Sequence, residues 1–434
     1  MEDSTTPIST VGIIGLGYVG LPLATAFAGA GVRVIGYDLV AEKVAALNAG
    51  DSYIEDVPST ELAPLVESGA FVATTDPTRL AECQAQLICV PTPLGEYREP
   101  DLDYVLAATE TALANLGPQT LVVLESTTWP GTTREVLAPM FEACGLKVGE
   151  DASLAFSPER VDPGNTRWGI RDTPKVVGGL TPACSRRAEA LYATICDTVH
   201  PVSTPESAEM SKIIENTYRA VNIALVNELA MLADRMGVDI WEAMEASATK
   251  PFGFKPFWPG PGLGGHCIPI DPFYLAWRAR AFDMDSGFVE LAGRVNVNMP
   301  YYATSRIARS LNGRGKAVKD ARVLLLGMAY KADVGDLRES PSLKLLELLR
   351  AEGADVTYHD PHVATLPDAG LSSVALTPET LAVTDCVVVA TAHTAIDLAA
   401  VVEHADLVVD LRNAVRRRLG GGATGAIPAN VDVL

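Results

Sequence analysis

Short apolar runs recur along the early chain: Val11-Gly12-Ile13-Ile14, Val32-Arg33-Val34-Ile35-Gly36-Tyr37, Gln86-Leu87-Ile88-Cys89-Val90 and Thr120-Leu121-Val122-Val123-Leu124. Each is strand-sized and stops at a glycine, a proline or a polar residue. Runs without strict alternation are what strands buried on both faces require, so they predict a parallel sheet. Leu21 to Ala30, rich in small residues, reads as the helix between the first two strands.

The pattern changes at Glu206. From there to Met236 the chain has no Pro or Gly, and Met210, Ile214, Thr217, Val221, Leu225, Glu228 and Leu232 recur at three- and four-residue steps. One helix of about eight turns follows from helix geometry. Lys212 and Asn216, at i and i+4, share a face roughly opposite this stripe. A second helical stretch is predicted from Phe288 to Leu311. So much apolar surface on a helical bridge is expected to be covered by a second copy of the chain, which predicts a homodimer through the central helices, with internal packing as the alternative.

After Arg322 the first pattern returns. Val323-Leu324-Leu325-Leu326 enters Gly327, a helix is predicted over Pro341 to Glu352, and a strand Asp355-Val356-Thr357-Tyr358 ends before Asp360. The run Asp385 to Thr391 resembles the strand that ends near Thr92. The predicted fold class is therefore α/β: two Rossmann-like doubly wound domains joined by a long central helix and helical bridge. The expected boundaries are 1–203, 204–312 and 313–434.

Between the first strand and its helix lies Gly15-Leu16-Gly17-Tyr18-Val19-Gly20, and the second strand ends at Asp38, eighteen residues beyond Gly20. Strand, glycine turn, helix and terminal acid together form a dinucleotide-binding fingerprint. Gly15 is expected to make the tight turn, Gly17 to admit the pyrophosphate, and Gly20 to pack the helix on the strand. The amides of Tyr18, Val19 and Gly20 would then face the phosphates. A carboxylate at Asp38 suits a free ribose hydroxyl and repels a 2′-phosphate, which favours NAD over NADP. Loops at the carboxyl ends of strands line the cofactor crevice of an open sheet, so Thr92 and Thr127 are candidate cofactor contacts, with capping or turn roles as alternatives. In the repeat the glycine triplet is replaced by Ala329-Tyr330-Lys331, followed by Arg338-Glu339-Ser340. That cationic turn suits a nucleotide diphosphate, the alternative being a solvated loop.

Composition narrows the partners. The formal charge of −20 over 434 residues argues against nucleic acid and against an anionic membrane surface. No apolar run reaches transmembrane length, and Met1 to Thr10 lacks the basic and apolar character of a signal peptide. Seven cysteines without paired spacing fit a reducing cytoplasm, and the six histidines form no zinc pattern with them, so no metal is predicted. One thiol stands apart. In Pro261-Gly262-Leu263-Gly264-Gly265-His266-Cys267-Ile268-Pro269-Ile270-Asp271-Pro272 it occupies a glycine-rich loop before a helix start, where backbone can approach a ligand and thiolate is favoured. A nucleophile accompanying a hydride acceptor suggests covalent oxidation.

Taken in chain order, these features resemble the UDP-glucose/GDP-mannose dehydrogenase family over nearly the whole chain. The most specific pieces are Gly15 to Leu23, Val90-Pro91-Thr92-Pro93, Glu125-Ser126-Thr127, Ser157-Pro158-Glu159-Arg160, Lys212 with Asn216, Gly264-Gly265-His266-Cys267 with Asp271, and Gly327 to Lys331 with Glu339-Ser340. The runs Ser157 to Asn165 and Pro259 to Pro269 look most like the branch that oxidises UDP-N-acetylhexosamines. The resemblance implies a four-electron oxidation of a sugar C6 alcohol to a carboxylate with NAD, through a Cys267 thiohemiacetal and thioester, the product feeding surface polysaccharides.

It further implies that Lys212 and Asn216 hold an oxyanion, that Asp271 orients the lysine or a water, that Glu159 serves the hydrolytic water, and that Thr127 binds a relay water or the cofactor. Substrate contacts are expected from Glu159, Arg160, Lys212, Asn216, Lys255, Gly264, Lys331 and Arg338, with Phe254 to Trp258 covering the uracil or ribose. Three other readings stay open on these residues: oxidation of UDP-glucose, a two-electron dehydrogenase of the hydroxy-acid type, and a nucleotide-sensing protein without turnover.

Overall fold

The computed structural model describes residues 7–95, 98–162, 164–165, 167–265, 268–422 and 425–434. The chain divides into two compact units, 1–215 with 273–285 and 216–272 with 286–434. The expected strands form in both.

In the first unit β1 (Thr10–Ile14), β2 (Arg33–Tyr37), β3 (Phe71–Thr74), β4 (Ala85–Ile88), β5 (Leu121–Leu124), β6 (Ser153–Phe156), β7 (Lys175–Gly179) and β8 (Val199–Val202) lie in the order β3-β2-β1-β4-β5-β6-β7-β8. The first six give the order 3-2-1-4-5-6 of a dinucleotide-binding sheet, whose switch point falls between β1 and β4. Successive residues of one strand serve opposite faces. Ile13, Leu87 and Val123 join one core cluster with Leu21 and Phe27, while Ile14, Ile88 and Leu124 join another with Phe141 and Phe156. Burial on both faces explains the unbroken apolar runs. Among the eight strands of this sheet only β6 and β7 pair antiparallel. That reversal puts the first residue of β7, Lys175, at the end of the sheet where β5 and β6 terminate.

In the second unit β9 (Arg322–Leu326), β10 (Asp355–His359), β13 (Cys386–Val389), β14 (Val408–Asp410) and β15 (Val431–Val433) make a parallel sheet in the order β10-β9-β13-β14-β15, with a ribbon of β11 (Thr365–Leu366) and β12 (Leu371–Ser372). Counted within the unit this is 2-1-3-4-5, the other common doubly wound order, with its switch point between β9 and β13.

The long helix spans Pro205–Met236, and the boundary between the units falls within it. Its buried side carries Ile213, Ala220 and Ala224 together with the polar Glu209, Lys212, Asn216 and Asn227. Of the stripe expected to be covered by a second copy, Ile214, Leu225 and Leu232 are exposed on the single chain, joined by Tyr218, Leu229 and Met236. Small side chains are needed where backbones approach closely, so the larger apolar ones point away. Within the second unit Asn227 donates to Asn296 Oδ1 (3.0 Å) and accepts from the Gly260 amide (3.0 Å), and Asn296 donates to the Ala220 carbonyl (3.1 Å). These three bonds join the long helix, the helix Gly287–Gly313 and the glycine-rich loop.

Candidate active site

The turn after β1 is built for an anion. Gly15 has φ 93°, and a β-carbon at Gly20 would fall 1.8 Å from the Gly15 carbonyl oxygen, so both positions need glycine. Gly17 has no protein atom within 4 Å of such a carbon, which leaves space above the turn. The helix Gly20–Gly29 begins after Val19 with no side-chain cap and no acid in its first turn, so its N-terminal amides and positive dipole end are available to a pyrophosphate. Asp38 stands at the end of β2 with Oδ2 accepting from Leu16 N–H (3.0 Å) and Oδ1 from Val40 N–H (3.0 Å), which fixes its carboxylate beside the turn. Tyr18 is exposed, Thr92 is buried in the loop after β4, and Thr127 is half-buried after β5. These residues fit a dinucleotide.

Next to β5 lies a group of which the sequence reading had assigned a role only to Glu159. Glu125, directly after β5, is fully buried and its Oε2 meets Lys175 Nζ at 2.8 Å, while Tyr192 donates its hydroxyl to the other oxygen. Lys175 also reaches Glu159 Oε2 at 3.3 Å. The remaining oxygen of Glu159 accepts from the backbone N–H groups of Arg160 (2.8 Å) and Val161 (2.6 Å). Burial pushes the Glu125 carboxyl above its ordinary value. For Glu159 burial pushes the same way, but Lys175, the Val161 amide and Lys212 outweigh it and hold the carboxyl below the usual range. Arg160 pairs with Glu215 (2.7 Å) and donates to the Pro174 carbonyl (2.6 Å), so its charge is already balanced. The available signal was a charged residue at the edge of an apolar run, at the sheet end where open α/β folds bind ligands.

In the second unit Asn216 Nδ2 donates to Asp271 Oδ2 at 2.5 Å, and both side chains are buried. Asp271 begins the helix Asp271–Ala279. Lys212, one turn before Asn216, is also buried. Cys267 and His266 lie outside the described residues, as does Pro163. The glycines Gly264 and Gly265, just before the thiol in sequence, pack closely on protein. A β-carbon at Gly264 would meet Tyr330 Cβ at 2.4 Å and the Glu339 carbonyl oxygen at 3.0 Å. At Gly265, φ 87°, it would meet the Tyr330 ring at 3.0 Å, and the Gly265 N–H donates to the Arg338 carbonyl (3.0 Å). A carbon on Gly260 would press on Arg412 at 2.5 Å.

The cationic turn is rearranged by its own acids. Arg338 meets Asp336 through two nitrogens, at 3.0 and 2.6 Å, while Lys331, half-buried, and Arg412 stand at the carboxyl ends of β9 and β14. Burial lowers the Arg412 guanidinium to about 10. Lys255 is exposed. Phe257 and Trp258, expected over a base, pack on Tyr218 and Trp241 respectively, with ring centroids 5.7 and 5.8 Å apart. Asp333, His362 and His393 bring ligand-type atoms within 4.8 Å of one another. His393 is already satisfied: Nδ1 accepts from Asp333 N–H (3.0 Å) and Nε2 faces Asp360 Oδ2 (3.0 Å).

A parallel sheet of order 3-2-1-4-5-6 with a glycine turn at its switch point and an acid after β2 defines a dinucleotide-dependent oxidoreductase. Comparison with known proteins makes this specific. The chain matches the NAD-binding domain of the UDP-glucose/GDP-mannose dehydrogenase family over residues 9–196, the central domain over 206–298 and the UDP-binding domain over 324–417. It belongs to that family, and NAD is its cofactor. It is 36% identical over 360 residues to a UDP-N-acetyl-D-mannosamine dehydrogenase of Pyrococcus horikoshii, covering 83% of this chain and 85% of the relative. Identity is also 36% over 356 residues to a UDP-N-acetyl-D-glucosamine 6-dehydrogenase of Pseudomonas aeruginosa, covering 82% and 83%. Among solved structures, a UDP-D-ManNAc dehydrogenase from Pyrococcus horikoshii superimposes with a TM-score of 0.88 at 32% identity, covering 98% of each chain.

Proposed function

We propose that the protein oxidises the C6 alcohol of a UDP-N-acetylhexosamine to the uronate in two two-electron steps. The observation that carries this reading is the buried Asn216–Asp271 bond, which ties the helix bearing Lys212 to the helix that follows the Cys267 loop. The names of the relatives support the N-acetylated sugar. NAD, when bound, accepts a hydride in each step. Between them the Cys267 thiolate adds to the C6 aldehyde to give a thiohemiacetal, and loss of the second hydride equivalent leaves a thioester. Water then attacks that carbonyl, the C–S bond breaks, and the carboxylate leaves with the thiol restored.

Lys212 and Asn216 are the donors for the oxyanion in the tetrahedral states, and the bond to Asp271 fixes which way the Asn216 amide points. Glu159, held ionised, is a weak base and a good acceptor, so it positions the hydrolytic water more than it deprotonates it. Thr127 holds a relay water or the cofactor. Lys331, Lys255 and Arg412 are the basic groups for the diphosphate. The outward stripe Ile214, Tyr218, Leu225, Leu229, Leu232 and Met236 supports a homodimer through the long helix.

The test is NADH release and uronate formation across UDP-GlcNAc, UDP-GalNAc, UDP-ManNAc, UDP-glucose and GDP-mannose. The expected result is about two NADH per uronate, as a four-electron oxidation requires, with an N-acetylhexosamine preferred. A ratio of one would overturn the mechanism, and preference for UDP-glucose would overturn the sugar. Cys267→Ser should stop uronate formation while NAD still binds.

A further inference from the structure

Of the buried chain Tyr192–Glu125–Lys175–Glu159, the mechanism above uses only Glu159. This buried chain runs from dry to wet: the side chains of Glu125, Lys175 and Glu159 are 0%, 5% and 17% exposed. Its geometry follows from the one antiparallel pair in the sheet. Phe156 stands opposite Gly178 and Ala155 opposite Gly179, so continuing that register three residues past β6 sets Glu159 opposite Lys175. The Ser157 hydroxyl bond to the Val176 carbonyl (2.9 Å) shows the two chains still alongside one another there. β5 runs parallel beside β6, which brings Glu125 to the same place. Lys175 therefore meets two carboxylates from two other strand ends, and its Nζ lies 5.2 Å from the Tyr192 ring centroid.

A buried lysine between two acids is a poor way to stabilise a sheet, because desolvation opposes the Coulombic gain. It is an effective way to hold one side chain in one direction. Glu159 is the member that retains exposure, one of its oxygens is fixed by two backbone amides, and the other is drawn to Lys175. We infer that Lys175 is a positioning residue for the hydrolysis step: anchored by Glu125 and Tyr192, it fixes Glu159 in a single orientation toward the water. This rests on the reading of Glu159 as the acceptor for that water.

The charged and titratable groups facing Glu159 are Lys175 from β7, Lys212 from the long helix, Glu125 after β5, Cys89 after β4 and Cys196 before β8, with Arg160 next in sequence and bound to Glu215. Lys175 favours the ionised form of Glu159, so removing it raises the pH at which Glu159 loses its proton. The acid limb of the pH–rate profile then moves upward.

The experiment measures uronate formation against pH in the full-length enzyme for Lys175→Met, Lys175→Arg and Glu159→Gln, with melting temperature and NADH binding as folding controls. Lys175→Met should move the acid limb up by about one unit, a roughly tenfold loss on that limb recovered at higher pH, and leave KM for the nucleotide sugar within about threefold. Lys175→Arg, which keeps the charge, should leave the limb in place. A uniform fall in kcat with an unmoved limb overturns the inference and leaves Lys175 a structural residue. Where Lys175→Met does not fold, Lys175→Met/Glu125→Gln removes the stranded charge and is read in the same way; an unmoved limb there overturns it equally. If Glu159→Gln forms uronate normally, the reading of Glu159 is itself wrong and the inference falls with it, an outcome distinct from a silent Lys175.

Discussion

A methyl group on Gly20 would lie 1.8 Å from the Gly15 carbonyl oxygen, whereas one on Gly17 would touch no protein atom within 4 Å. The two glycines of one motif therefore answer to different constraints, one to the fold and one to the ligand. Gly20→Ala is expected to strain the turn by roughly 1–3 kcal/mol, the range of forced overpacking, and to lower the melting temperature along with NAD affinity. Gly17→Ala should melt within about 1 °C of the parent, since no contact is lost, while NADH fluorescence titration shows weakened binding. Equal effects in both variants would mean that the turn is organised differently. Both glycines were legible in the sequence because their spacing encodes a local turn. Lys175 was not, because its partners are 50 and 16 residues away and its register with Glu159 depends on the reversal of β7.

At the scale of elements, the two sheets share a first strand, a turn and an acid after the second strand, yet the acids do different work. Asp38 binds single amides of Leu16 and Val40 and keeps some exposure. Asp360 is buried, accepts from Met328 N–H (2.6 Å) and Ala329 N–H (3.2 Å) with one oxygen and from His362 and Val363 N–H with the other, and faces His393. The second acid is thus consumed in closing a turn that has no glycine triplet. Burial opposes ionisation of Asp360, but His393 and the backbone amides hold its carboxyl at about 2, below the ordinary 3.8.

A depressed folded value means the contribution is present above the unfolded value and is lost as pH falls through the folded one. Asp360 therefore contributes on the order of 2 kcal/mol near neutrality, decaying between about pH 4 and 2. Asp360→Asn should lower stability at pH 7 by about that amount, and the gap from the parent should narrow in acid, measured by denaturant unfolding across pH. A gap independent of pH would refute the charge-based account. The sequence showed the acid and its strand, but the appearance of His393 beside it required β13 to lie next to β9.

For the molecule as a whole, the outward stripe on the long helix is the feature with the largest consequence. Leu225 is 54% exposed, Leu232 52% and Met236 65%, in a chain whose formal charge is −20. Charge repulsion between copies would oppose association unless an apolar seam outweighs it. Leu225→Glu is expected to shift the protein toward monomer in light scattering coupled to size exclusion, and to make melting independent of protein concentration where the melting temperature of a dimeric parent rises with it. A mass unchanged between parent and variant would place any interface elsewhere. No helix among the described residues is long and apolar enough to cross a membrane.

The sequence by itself determined the elements, the glycine turn with its acid, the repeat of the unit and the long uninterrupted helix, because strand runs, helix periodicity and turn chemistry are local properties of neighbouring residues. Only the tertiary structure decided which face of that helix is buried, that Arg338 is bound by Asp336, that the loop glycines pack on Tyr330, and that Lys175 joins Glu125 to Glu159. Those outcomes depend on strand order, on the antiparallel seam between β6 and β7, and on close approach of distant backbones, none of which is a property of any short stretch of chain.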